Sequence, residues 1–531
     1  SPCLDFYETP NPTLEFWYHM NGPHIDTLHI DIFDESIPGW VRDVSPPIVG
    51  NQGDSWRLKQ VNFYNFRDRV VQIRLRAKAG KGGDLGDIAI DDFYIFNGPI
   101  YNASVARVYT KPYTPKTPEL PEFELENFGV LPITTLDATY NVYDRNDNLT
   151  SSFTQTFGGL NLLPAVKQDL TFTTPYTAPD STFKLEVIVN LANDTANTND
   201  TNFAFSYGLN KRQVSYFDNY DNPAIADDWA SFPIQRGLPS KWKRYEPSKA
   251  PGSPSAAYSS PFVWGVNANQ KYDIGIDNSL VSPFIDFRNT DSTFIQFEMF
   301  RDIADGDGVH LEYSLNRGEN WNVILNDNNP PATLNWYNNL NIEFVPCWGD
   351  TTSGYERSRI KTTFLDDLDE VLFRLRFMTD SNDAIGFGAI VDNFNIINPE
   401  PVDVAVTGVF SPLSYCEIDS ALVEFKLENF GRTPVSNIPV EITVFDSDNN
   451  MVDIVNENVA VTLAVFDTIR VTSTIHSKFP GFDNFKVQVR ALMPNDTEPR
   501  NDTAFKITES YLGCDLTKKY STTPMINPAG G

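Results

Sequence analysis

The sequence is poor in cysteine, in positive charge and in long apolar runs. Its four cysteines are Cys3, Cys347, Cys416 and Cys514, in 531 residues. None forms a CxxC pair, which argues against a zinc ribbon or a thioredoxin motif, and four are too few for a disulfide scaffold. Lys and Arg number 41 against 70 Asp and Glu, for a formal net charge of -29. Nucleic acid is excluded as a partner, because phosphates call for basic residues, and an anionic membrane surface is disfavoured for the same reason. No apolar run reaches the roughly 20 residues of a membrane span, so no membrane insertion is expected. No signal peptide is visible and the chain opens on Ser1, so its start is expected elsewhere.

Catalytic patterns are missing too. The histidines are His19, His24, His29, His310 and His476, and none belongs to an HExxH pair. There is no GxSxG elbow, and no cysteine has a protease-like context. Paired carboxylates are too common in so acidic a chain to mark a site. The chain therefore reads as no enzyme.

What is present is β-sheet chemistry. Phe, Tyr and Trp make up 13% of the chain, with Thr, Val and Ile plentiful. Period-two alternation is clear in 13–18, 71–76, 184–189, 423–427 and 485–490, between turn clusters such as Asn146-Asp147-Asn148. No long segment has helical spacing. The expected fold class is all-β, as tandem β-sandwich domains. The Pro-rich stretch 111–118 reads as a stiff lead into a domain.

The chain also repeats itself. Ser1-Pro2-Cys3-Leu4-Asp5-Phe6 matches Ser282-Pro283-Phe284-Ile285-Asp286-Phe287, and Ile90-Asp91-Asp92-Phe93 matches Val391-Asp392-Asn393-Phe394. Leu125-Glu126-Asn127-Phe128-Gly129 recurs identically as Leu427-Glu428-Asn429-Phe430-Gly431. Two Asn-Asp-Thr triplets, 193–195 and 199–201, return at 495–497 and 501–503, and read as turn chemistry. A larger A domain is thus followed by a smaller B domain, twice. The expected bounds are 1–100, 101–210, 211–400 and 401–512, with 513–531 a tail or the start of another module. The first A domain begins where the second is already well advanced, so it is expected to lack its opening strands and to show open edges.

The first A domain resembles a MAM domain. The matching residues are His19-Met20-Asn21-Gly22, Asp26-Thr27-Leu28, Gln52-Gly53-Asp54-Ser55-Trp56 and Gly86-Asp87-Ile88-Ala89-Ile90-Asp91-Asp92-Phe93. The second A domain is similar to reelin-like jelly rolls through Asp307–Ser314, and its Ser314–Trp321 resembles an Asp-box hairpin. The B domains resemble CARDB-type Ig-like modules, through the Leu-Glu-Asn-Phe-Gly and Asn-Asp-Thr signatures. The resemblance implies jelly-roll and Ig-like sandwiches in alternation, as in large secreted adhesins, gliding proteins and filament proteins of Bacteroidota that use type IX secretion.

Calcium is the expected ion, since it takes six to eight oxygens that clustered Asp and Asn on loops supply. Jelly-roll modules hold such an ion between their first and last strands. That implies Asp218 or Asp221 with Asp392 in the second A domain, and Asp87 and Asp91, near Asp84 and Asp92, in the first. Asp302, Asp305 and Asp307 form a further cluster. Cys416 and Cys514 flank the second B domain and are expected to form a disulfide, whereas Cys3 and Cys347 are not expected to pair.

These readings lead to a non-catalytic structural or adhesive segment of a long extracellular or cell-surface protein. Its partners would be neighbouring modules of the same longer chain, other copies in a fibre, or surface glycans and proteins. The alternative is the accessory region of a secreted hydrolase. Glycan binding would use exposed aromatics, for which Trp17, Trp40, Trp56 and Trp264 are the candidates.

Overall fold

The computed structural model describes residues 1–511 apart from 23–24, 38, 80–86, 224, 226–227, 234–239, 248–253, 260, 269, 326–332, 342, 382–383, 417–418 and 482. The described residues form strands and loops, with two single 3-10 turns at Tyr64–Phe66 and Thr363–Leu365. Alternation sets the sheet faces. On Pro12–Asn21, Leu14, Phe16, Tyr18 and Met20 are buried while Trp17 is exposed. On Asn484–Ala491, Phe485, Val487 and Val489 turn inward.

Each sandwich has its own core. In the first A domain a five-stranded sheet runs Leu4–Asp5, Val70–Ala79, Ile25–Asp34, Trp40–Val41, with Ile48–Val49 also on Ile25–Asp34. It faces a three-stranded sheet of Gly53–Asn62, Pro12–Asn21 and Asp87–Asn97, and Phe16, Ile30 and Phe63 fill the space between. The second A domain is larger. Its six-stranded sheet runs Trp242–Tyr245, Val263–Val266, Gly388–Ile397, Phe294–Asp302, Glu356–Lys361, with Tyr216–Asp218 also on Gly388–Ile397. Its five-stranded sheet runs Ala230–Pro233, Asp277–Val281, Leu372–Met378, Gly308–Ser314, Asn322–Val323.

The two B domains share one topology. The first pairs a three-stranded sheet (Lys167–Thr171, Glu122–Asn127, Ala103–Tyr109) with a five-stranded one (Tyr113–Pro115, Thr201–Leu209, Ser181–Asn190, Ile133–Tyr143, Leu149–Leu162). The second repeats this order with Thr468–Thr472, Glu424–Asn429 and Val404–Val409 against Tyr415–Cys416, Thr503–Tyr511, Asn484–Ala491, Val435–Phe445 and Met451–Leu463.

The Pro-rich stretch 111–118 is not a lead into the first B domain but lies within it. Tyr113–Pro115 follows the first strand and pairs in parallel with Tyr207–Leu209. An outer position on a sheet suits proline, whose missing N–H is needed by no neighbour there.

The identical Leu-Glu-Asn-Phe-Gly segments are corners. Asn127 is fully buried; its amide donates to the carbonyls of Leu131 (2.8 Å) and Leu162 (2.8 Å) and accepts from the Gly129 N–H (2.9 Å). Asn429 does the same with Thr433, Leu463 and Gly431. A Cβ on Gly129 would lie 2.4 Å from the Ile100 carbonyl, so only glycine fits. The corner also meets the preceding A domain. The Phe128 carbonyl accepts from the amides of Asn11 (2.6 Å) and Asn62 (2.8 Å), and Phe430 packs beside Phe294 and Phe466, whose rings meet edge-on at 4.7 Å.

The junction between the units is closed as well. Arg317, in the Asp-box-like hairpin, reaches back to Glu119 with two bonds (2.8 and 3.1 Å) and holds Glu370 of its own domain (2.7 Å). Tyr113 lies edge-on to Phe232 at 5.3 Å and to Trp321 at 6.3 Å. Lys211–Gln213, leaving the first B domain, pairs in parallel with Phe284–Asp286 of the second A domain.

Candidate interaction surface

The two A domains differ most at one face. In the second, Gly388–Ile397 has neighbours on both sides. Phe294–Asp302 lies on one, while on the other Tyr216–Asp218 pairs with Phe394–Ile396, and Trp264 and Gly265 pair with Val391 and Ile390. In the first, the matching strand Asp87–Asn97 pairs with Pro12–Asn21 and, among the described residues, has no strand on its far edge. In the opposing sheet, Asp277–Val281 covers Arg374–Met378, whereas Leu4–Asp5 covers only Val70 and Val71.

Exposure follows pairing. Val391 and Phe394 are 0% exposed, while their counterparts Ile90 and Phe93 are 38% and 44% exposed. Leu375 is fully buried, and its counterpart Leu75 only partly. The inner geometry is nonetheless retained. Phe93 stacks on Phe16 as Phe394 stacks on Phe297. Both strands carry the same bulge, where Asp92 (φ 49°) and Asn393 (φ 51°) take the left-handed conformation that Asp and Asn tolerate. The Asp91 carboxylate accepts the Asp92 N–H at 2.8 Å, and Asp392 that of Asn393 at 2.7 Å. The result is a correctly shaped, apolar-lined strand edge with nothing hydrogen-bonded along its far side among the described residues.

The expected calcium residues divide in two. Asp87 and Asp91 are exposed on this open strand, and Asp84 lies outside the described residues. Asp218, Asp221 and Asp392 are brought near one another by the pairing of the first and last strands of the second A domain. All six of their carboxylate oxygens already accept a donor. Asp218 takes the Tyr220 N–H (2.7 Å) and the Tyr216 hydroxyl (3.1 Å). Asp221 takes the Phe262 N–H (2.8 Å) and the Asn219 amide (3.0 Å). Asp392 takes the Ser259 N–H (2.8 Å), the Ser259 hydroxyl (3.0 Å) and the Asn393 N–H. Burial pushes the Asp218 and Asp392 carboxyls up to about 6. Among the described residues no three of Asp, Glu, His and Cys gather closely enough to hold a metal. As arranged, these carboxylates staple loops to the paired first and last strands. In the remaining cluster, Asp307 accepts the Tyr272 hydroxyl (2.7 Å) and the Asp380 N–H (2.7 Å).

His29 bonds Thr27 and Asp43, and the fully buried His310 bonds Glu312 at 3.1 Å. Trp264 is buried and Trp40 packs on Phe33 under Arg74, whereas Trp17 and Trp56 are exposed. Cys3 is an exposed free thiol; Cys347 is a buried one, pushed up to about 12 by burial. The expected Cys416–Cys514 bridge lies outside the described residues, because Cys514 and the Cys416 side chain are not among them.

Residues 3–99 match the family described as MAM domain, meprin/A5/mu. Rat (Rattus norvegicus) neuropilin-1 is 34% identical over 84 residues, which are 16% of this chain and 9% of that protein. Neuropilin-1a of Danio rerio is 32% identical over 124 residues, 23% of this chain and 12% of that protein. The chain thus spans 9–12% of the length of these curated relatives. Among solved structures, a putative beta-galactosidase from Bacteroides fragilis has a TM-score of 0.25 at 14% identity, covering 52% of this chain and 40% of that one. The beta-glucuronidase of Parabacteroides merdae has a TM-score of 0.24 at 10% identity, covering 45% and 28%. These neighbours are glycoside hydrolases, so the sequence-based exclusion of an enzyme is withdrawn. Likeness at these TM-scores assigns no catalytic role to any residue here. Among the described residues no helix is long and apolar enough to cross a membrane. Over residues 3–99, this chain is a MAM-like jelly roll.

Proposed function

We propose that this chain is a structural and adhesive segment of a long repetitive protein at the bacterial cell surface, in which CARDB-type B domains space MAM-like A domains. The strand Asp87–Asn97 of the first A domain takes strands like those that residues 216–281 supply within the second, whether from the same longer chain or from a neighbouring copy, and repeated copies of this order build a fibre.

The observation that carries this reading is the contrast between Ile90 and Phe93, exposed, and Val391 and Phe394, buried under such strands. Backbone pairing gives affinity in this mode and the side-chain pockets give register. Covering Ile90 and Phe93 contributes on the order of 1 kcal/mol each. The closed junctions hold successive modules in fixed order, which suits a spacer.

The test adds a separate segment of residues 214–281 to the full chain and follows backbone hydrogen exchange. Protection should appear along 87–97 and be lost in an Ile90→Asp/Phe93→Asp variant. No protection at saturating segment, or equal protection in the variant, would overturn the reading.

A further inference from the structure

Between the first A domain and the first B domain lies a cavity of about 290 Å³. One wall is the edge strand Gly53–Asn62, at the opposite end of its sheet from Asp87–Asn97. The other is the three-stranded B sheet together with the turn before Thr201–Leu209. The two domains touch across it. Gln60 Nε2 donates to the Thr198 hydroxyl at 3.2 Å, and the Arg57 guanidinium lies 5.0 Å from the centre of the Phe203 ring.

The charge of this lining is opposite to that of the chain. Arg57, Lys59, Arg107 and Lys167 line the cavity against one carboxylate, Glu126, in a sequence whose acidic residues outnumber its basic ones by 70 to 41. Lys167 bridges Glu124 (2.9 Å) and Glu126 (3.3 Å). Arg57, Lys59 and Arg107 form no ion pair among the described residues. They are close enough to act on one another. Burial holds the Lys59 ammonium down to about 8, with Glu126 pulling the other way and Lys167 and Arg107 adding repulsion.

The second unit has the same joint without this cluster. Tyr18 faces Arg57 where Met299 faces Glu356, and Phe16 faces Lys59 where Phe297 faces Ser358. Glu124 faces Arg107 where Lys426 faces Gly408, and Glu126 faces Lys167 where Glu428 faces Thr468. All four positive charges are therefore gone. The cations that the second joint does carry are engaged. Arg357 bonds Glu298 (2.7 Å), Arg359 lies 3.8 Å from the centre of the Phe466 ring, and Lys426 meets Glu428 at 3.6 Å. Joining an A domain to a B domain thus does not require the first cluster, whose mutual repulsion is a cost that an anion would offset.

We propose that this cavity binds an acidic sugar unit, whose carboxylate or sulfate is held by Lys59, Arg107 and Arg57. A guanidinium fork matches the paired oxygens of either group. The neutral lining suits the rest of a sugar. Gln52, Asn202, Ser104 and Thr201 supply donors and acceptors for ring hydroxyls, and Phe203 supplies an apolar face. The volume lies at the small end of ligand cavities, which fits one sugar ring and not a long oligosaccharide.

The test is calorimetric titration of the full chain with methyl glucuronide, glucose sulfate, glucose and inorganic sulfate in turn. At least one acidic sugar should bind at a single site with Kd of about 1 mM or tighter, and glucose should not. The tighter of the two identifies the oxyanion. Lys59→Met and Arg107→Gln should each weaken that binding about tenfold or more, while Lys59→Arg retains it. Arg107 is exposed, so its variant reads binding even where Lys59→Met disturbs the joint. Arg500→Gln, which takes the same charge from the second B domain, should leave binding unchanged. The proposal is overturned if neither acidic sugar binds up to about 10 mM, if glucose binds equally well, or if the Lys59→Met and Arg107→Gln variants bind as the native chain does. Binding of inorganic sulfate alone also overturns it, since the cavity then takes an adventitious ion only.

Discussion

Phe93 lies against Phe16 with ring centroids 6.3 Å apart, stacked at 22°, on a strand whose far edge has no paired strand among the described residues. The matching pair, Phe394 on Phe297, is stacked at 5.8 Å in a closed core. The same substitution should therefore cost different amounts. Phe394→Ala should destabilise the second A domain by about 3–5 kcal/mol, and Phe93→Ala the first by roughly half that. Denaturant unfolding of the two variants, resolved by hydrogen exchange in each domain, measures the difference.

The corners make a second prediction. Asn429→Ala removes two donors and one acceptor from buried carbonyls and an N–H, and should cost about 2–4 kcal/mol. Asn127→Ala should behave alike, and the Gly129 amide should exchange faster once its acceptor is gone. Exchange rates at Gly129 and Gly431 read this directly.

The second A domain should respond to pH through Asp218 and Asp392. Burial raises both carboxyls to about 6, above their unfolded values. Between roughly pH 4 and 6 the folded chain therefore keeps protons that the unfolded chain has released. Stability falls as pH rises through that window and levels off above it. Asp392→Asn removes one of these groups. The melting temperature of the native chain minus that of the variant should thus decline from pH 4 to pH 7, a difference that cancels other titrating groups.

Arg317 should matter to the junction more than to its domain. Arg317→Ala removes two bonds to Glu119, worth about 1–2 kcal/mol at this partly buried site. The Tyr113 N–H, which donates to the Arg317 carbonyl, should exchange faster, while exchange in the core strand Leu372–Met378 should be unchanged. Small-angle scattering should show a wider spread of dimensions.

Thiol labelling separates the cysteines. Cys3 should react at once in the native chain, and Cys347, buried with its thiol raised, only on unfolding. Labelling of both Cys416 and Cys514 in the native chain, without reductant, would remove the proposed bridge between them.

Much of the architecture was legible because period-two alternation and an internal repeat both report backbone geometry. Leu14, Phe16 and Tyr18 point inward as their spacing requires. The recurrence of Leu-Glu-Asn-Phe-Gly was visible, but its cause was not, since the carbonyls that Asn127 serves come from Leu131 and from the distant Leu162. Asp91-Asp92 drew attention as carboxylates, whereas in the fold they form a bulge. The signal was an Asx residue at the same place in both copies, Asp92 and Asn393. The Pro-rich stretch misled because proline marks a linker and an outer strand equally well.

The parallel pairing inside the B domains has a mechanical consequence. Tyr113–Pro115 lies near the start of the first B domain and Thr201–Leu209 at its end, side by side and pointing the same way. A pull on the two ends of such a domain drags these strands past each other along their length. Their hydrogen bonds are then loaded together in shear and must rupture as a group, where an antiparallel hairpin pulled from its open end would unzip one bond at a time. Forced unfolding is governed by the barrier and not by equilibrium stability. In a chain pulled from its ends, the B domains are therefore the links that resist in shear, and the pairing of Lys211–Gln213 with Phe284–Asp286 would pass load into the next module.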